Sequence, residues 1–136
     1  MNKTKPFELS EEHLQTMCAD WIESQYRELT ELFYFHSFLG MKLPIWAIVK
    51  AKKTGGLKAN ILDFQFAKNN GKYSSLYIEL KKESPYLKNG NLKKDDHLEK
   101  QNNTINLLRL EGHYACFAWS LNQFKQIVTD YMECRL

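Results

Sequence analysis

Asp63, Glu79 and Lys81 stand in the pattern D-(x15)-E-x-K. Two carboxylates a few ångströms apart at a sheet surface make a hard-oxygen site suited to Mg²⁺ or Mn²⁺. Such an ion polarises a phosphoryl oxygen, lowers the pKa of a bound water and neutralises charge on the leaving oxygen. A lysine two residues beyond Glu79 shares its face of a strand. There it would orient or help deprotonate the water and stabilise charge in the transition state. The backbone carbonyl of Leu80, between them, is a further candidate metal ligand. Two carboxylates sharing a site repel unless a cation joins them. Taken alone, E-x-K reads as a surface ion pair, so the elements that carry it must decide.

Two strands place the triad. In residues 61–68, Leu62, Phe64 and Phe66 are expected on one face, Asp63 and Gln65 on the other. In residues 75–81, Leu76, Ile78 and Leu80 alternate with Tyr77, Glu79 and Lys81. Asn70-Gly71 between them is a hairpin signal, so the strands should pair antiparallel and bring Asp63, Glu79 and Lys81 to one face.

Helices supply further polar groups. Ser10 is a good N-cap, and Leu14, Cys18, Trp21 and Ile22 recur at helical spacing over residues 11–27. Glu11 falls at the end of that inward stripe, whereas Glu12 turns toward solvent. A second helix is expected from about Asp96 to Leu110, with Gln101, Ile105 and Leu108 on one stripe and Gly112 as its stop. A polar side chain at a stripe position needs a partner; a site holding Asp63, Glu79, Lys81, Glu11 and Gln101 supplies one for each. Residues 31–49 read as a short strand, a turn and a helix running toward Lys53. Residues 113–119 are another strand, and Ser120 with Gln123 forms a capping box opening a last helix, buried through Phe124, Ile127, Val128 and Tyr131. The whole reads as one α/β domain over residues 1–136, a small mixed central sheet flanked by helices.

The 136 residues carry 19 Lys+Arg against 16 Asp+Glu. A net charge of +3 is compatible with nucleic acid without demanding it, so charge distribution matters more. Lys42, Lys50, Lys52, Lys53 and Lys58 precede the D-E-K pattern with no acidic residue among them, a candidate phosphate-contacting surface or a plain solvated face. Cys18, Cys116 and Cys134 form no C-x-x-C pair, and the first two sit in apolar patterns, which points to reduced thiols and a cytoplasmic protein. No apolar run approaches the ~18 residues of a membrane span.

Motifs across most of the chain, from about Glu11 to Tyr131, resemble the VRR-NUC (virus-type replication-repair nuclease) family of the PD-(D/E)XK superfamily. Glu11, Gln15 and Trp21 match its opening E-x-x-x-Q-x-x-x-x-x-W helix. Phe35-His36 to Gly40 and Lys42 match its F-h-x-x-x-G-x-K region, and GLKANILD matches its G-x-K-A-G-x-P-D signature ending on Asp63. Ile78-Glu79-Leu80-Lys81 is its I-E-x-K, and Gln101, Leu108 and Gly112 fit its Q-x6-L-x3-G. Asn60 stands where the family has glycine and Leu62 where it has proline; asparagine tolerates the left-handed backbone a glycine would use.

The resemblance implies a restriction-endonuclease-like fold and a Mg²⁺- or Mn²⁺-dependent DNA endonuclease. Glu11, Asp63 and Glu79 would be its acidic metal-site residues, Lys81 its catalytic lysine and Gln101 a site residue. It further implies branched or junction-containing DNA as partner, as for Holliday-junction resolvases, a homodimer, and action inside a bacterial or phage-infected cell. A catalytically silent DNA-binding or interaction module with the same fold is the alternative. Of the other residues, His36 could face substrate or be a partly buried structural histidine, His113 reads as structural, and His97 lacks the spaced partners of a zinc site. Trp21, Trp46 and Trp119 read as core, and Tyr86, in a long loop over residues 82–98, is a candidate nucleic-acid contact.

Overall fold

A computed structural model describes residues 10–37 and 42–136. Gly40 and its neighbours in the F-h-x-x-x-G-x-K region lie outside those residues. The described chain begins with α1 (Glu11–Gln25), passes through a 3-10 segment (Arg27–Leu32) and enters β1 (Phe33–Phe35). After α2 (Ile45–Lys53) come β2 (Phe64–Phe66), β3 (Leu76–Leu80), α3 (Asp96–Leu110), β4 (Tyr114–Ala118) and α4 (Leu121–Met132). The four strands form one sheet in the order β1-β2-β3-β4. β1, β2 and β3 pair antiparallel, and β4 lies parallel to β3 after crossing over through α3. This is the mixed sheet expected, because a hairpin joins antiparallel neighbours while a parallel pair needs a helix-length crossover.

Local chemistry sets the boundaries. Ser10, Asp95 and Ser120 cap the three long helices, each accepting from backbone N–H groups of the first turn. Gln123 does reach back, but to the N–H of Trp119 at 2.7 Å, one residue before the cap. The turn between β2 and β3 is held by asparagines: Asn70 Oδ1 accepts from Lys72 and Tyr73, and Gly71 takes φ +93°.

The sheet divides two apolar layers. On one face Phe64, Phe66, Leu76, Ile78 and Leu80 meet Leu14, Cys18 and Ile22 of α1 and Phe124, Val128 and Tyr131 of α4. Full burial of each large side chain there contributes roughly 1.5–3 kcal/mol. Tyr131 is tied in further by its hydroxyl, which donates to the Lys68 carbonyl at 2.6 Å. On the other face Ala115 and Phe117 meet Ile105 of α3.

Four expectations need correction. Leu62 packs in this second layer with Ile105 and Phe117, not beside Phe64 and Phe66, because β2 starts two residues later and the strand alternation does not yet apply. Trp46 is 70% exposed rather than core, and α2 buries none of its residues. Residues 82–95 are not an open loop: Tyr86 bridges to Leu92, and its ring packs edge-on against Phe117 and Trp119. His97 belongs to the first turn of α3.

Candidate active site

Antiparallel pairing of Phe64 with Ile78 puts Asp63 beside Glu79, one residue along each strand. The two acids interlock. The backbone N–H of Asp63 donates to Glu79 Oε2 at 3.0 Å, and the N–H of Leu80 donates to Asp63 Oδ2 at 2.9 Å. The chain reaches Asp63 through Asn60, which sits at φ +63°, the left-handed conformation a glycine would take. Because N–H and C=O of one strand residue point the same way, the Leu80 carbonyl opens on the Asp63 side as well.

Glu79 is only 5% exposed. Burial above all, then the negative charge of Asp63, raises its pKa to about 8, against a smaller opposing pull from Lys81. Asp63 is raised too, chiefly by burial and also by the charge of Glu11, with the Leu80 N–H and Lys81 acting the other way. The acids therefore sit in a medium that disfavours two negative charges. A divalent cation would relieve that repulsion.

Gln101 reaches the same carboxylate from α3. Its Nε2 donates to Glu79 Oε1 at 2.8 Å and lies 3.2 Å from Nε2 of His97, one turn earlier on the helix. Its own Oε1 is buried with no hydrogen-bond partner. His97 is not legible as part of this network from the spacing of metal ligands; the signal for it is its i,i+4 relation to Gln101 on one helical face.

Lys81 follows β3, its N–H bonded to the Ala118 carbonyl at 2.8 Å. Lys81 and Glu11 line a cavity of about 200 Å³, with Pro85, Lys93, Asp95 and His97 around them. Glu12 points away, among the exposed residues. The structure thus brings Glu11, Asp63, Glu79, Leu80, Lys81 and Gln101 to one region. Among the described residues no three His, Cys, Asp or Glu side chains converge as a ready-made metal cluster. The donor set that fits a hard cation is the Asp63–Glu79 pair, with the buried, unsatisfied Gln101 Oε1 beside it. Lys42, Lys50, Lys52, Lys53 and Lys58 are all exposed, three of them on α2.

No family model and no curated protein matches the chain. Among solved structures it is similar to a protein described as a VRR_NUC domain protein, 22% identical, over 95% of this chain and 91% of that one, with a TM-score of 0.66. The shared fold is the restriction-endonuclease-like α/β arrangement, a mixed four-stranded sheet flanked by helices. Among the described residues no helix is long and apolar enough to cross a membrane.

Proposed function

We propose that the chain is a VRR-NUC-type nuclease, a Mg²⁺- or Mn²⁺-dependent endonuclease that hydrolyses DNA phosphodiesters. The observation that carries this reading is the interlocked Asp63–Glu79 pair, with Lys81 of the same strand segment in the adjoining cavity. Asp63 and Glu79, with the Leu80 carbonyl and Glu11 near by, would hold the ion. Bound there, it would supply Lewis-acid activation of a phosphoryl oxygen and of water.

The chain's own residues do the rest. Lys81 lines the cavity, and its ammonium would there orient the attacking water and offset charge on the phosphoryl group. Gln101 fixes one oxygen of Glu79, so the carboxylate presents a set orientation. The exposed lysines of residues 42–58 take backbone phosphates, which favours recognition of DNA shape, such as branches or junctions, over base sequence. A second copy of the chain would be needed to cut two symmetric strands of a junction.

The silent-module reading has one support, the altered approach to Asp63. Asn60 takes up the glycine conformation, so that approach keeps its shape. The test is incubation with branched and linear DNA in Mg²⁺, Mn²⁺ or EDTA. Nicking should require the metal and fall roughly 10²–10⁴-fold in Lys81→Ala. Metal-dependent nicking that survives Lys81→Ala would sink the catalytic assignment. No cleavage of any DNA in either metal would favour the silent module.

A further inference from the structure

A second cavity, of about 270 Å³, lies at the β1 end of the sheet. It is lined by Tyr34 and His36 at the end of β1, by Gly55, Gly56 and Lys58 after α2, and by Ile61. Its place follows from the register. Tyr34 pairs with Gln65, and the backbone N–H of His36 donates to the carbonyl of Asp63 at 2.7 Å. His36 is therefore one strand spacing, roughly 5 Å, from the residue that begins the acid pair.

The lining has a definite chemistry. The Tyr34 and His36 rings lie 4.0 Å apart between centroids, and His36 Nε2 is within 3.2 Å of Gln65 Oε1, which fixes the imidazole's orientation. Tyr34 is 56% exposed, so its ring meets solvent on β1, the edge strand of the sheet among the described residues. Gly55 takes φ +80° and, among the described residues, has nothing within 4 Å of where a side chain would begin. Among the described residues no carboxylate lies in salt-bridge reach of Lys58. The volume falls below the ~300–1,000 Å³ of ordinary ligand pockets. It suits a small flat group with an anion attached.

We propose that this cavity is a nucleotide subsite, which takes one unpaired base of the DNA strand against Tyr34 and His36 with its phosphate on Lys58. The inference rests on the nuclease reading above and deepens it, since it names what the site reads: a nucleotide outside the stack, next to the phosphodiester to be cut. A fully paired duplex offers no such base. Stacking on an aromatic ring is tolerant of sequence, so discrimination is by structure.

The experiment is a binding titration in EDTA with two fluorescein-labelled duplexes, identical except that one carries a single unpaired nucleotide. The protein should bind the latter roughly 5- to 150-fold more tightly, the span that one stacked base contributes. Tyr34→Ala should abolish the preference and leave affinity for the paired duplex unchanged. Tyr34→Phe, which keeps the ring, should retain it. Equal binding of both duplexes, or a preference that survives Tyr34→Ala, overturns the subsite while metal-dependent cleavage would still uphold the nuclease reading. Failure to bind either duplex overturns the subsite and the DNA partner together.

Discussion

Replacing Glu79 by glutamine should stabilise the metal-free protein, and by an amount that depends on pH. The folded pKa of about 8 lies above the ordinary value of 4.5. The unfolded chain therefore loses its proton first as pH rises, and between those two values folding stability falls with pH. Below about pH 4.5 both states carry the proton and the effect vanishes. Near pH 7 the accumulated penalty is on the order of 3 kcal/mol. Glutamine removes it while keeping the shape: its oxygen can accept from the Asp63 N–H, and its amide can donate to the unsatisfied Gln101 Oε1 once that amide turns over. Some gain is forfeited because the turned Gln101 amide places its Nε2 where its Oε1 now stands buried without a partner. A net gain of about 2 kcal/mol near neutral pH corresponds to a Tm increase of roughly 5–10 °C for a chain of this size. The assay is thermal unfolding in EDTA from pH 4.5 to 8.5, wild type beside Glu79→Gln. The curves should converge at the acid end and separate as pH rises. A Tm difference constant with pH, or a variant less stable at pH 8, would refute the account of Glu79 as a buried acid strained by its neighbour.

Tyr131→Phe removes the hydroxyl that donates to the Lys68 carbonyl and leaves that carbonyl without its donor. Urea titration should show a destabilisation of about 1–2 kcal/mol with an unchanged m value. Replacing Lys50, Lys52 and Lys53 together by glutamine should weaken DNA binding at low salt for all sequences alike. The slope of log K against log salt should become shallower by roughly 2–3, about one for each phosphate that a lysine no longer neutralises; an unchanged slope would remove α2 from the DNA-binding surface.

Strand alternation makes the β2–β3 hairpin and the Asp63–Glu79 pairing legible, because period 2 leaves one assignment of faces. Gly112 marks the end of α3 in the sequence as a stop, and it takes the positive φ that such a stop requires. The residues that pattern misplaces are those where packing, not periodicity, decides. Leu62 precedes the strand, and the turn at Asn60 swings it into the other apolar layer. Trp46 sits in an apolar run whose composition matches a core helix, yet among the described residues no element covers it; composition records what can be buried, not whether anything arrives to bury it. Gln101 is visible in the sequence because a polar residue there breaks an apolar stripe. His97 is not, because it lies on the exposed flank of the same helix, where a polar residue breaks no pattern.

The exposure of Trp46 gives the molecule an optical handle. Trp21 and Trp119 are partly enclosed by other rings, whereas the indole of Trp46 faces water from a helix that also carries Lys50, Lys52 and Lys53. The red edge of the emission spectrum therefore belongs to that one side chain, and a soluble quencher such as iodide reaches it first. Anything that settles on the lysine helix shields this fluorophore and shifts its emission to the blue, so occupancy of that surface can be followed without a label.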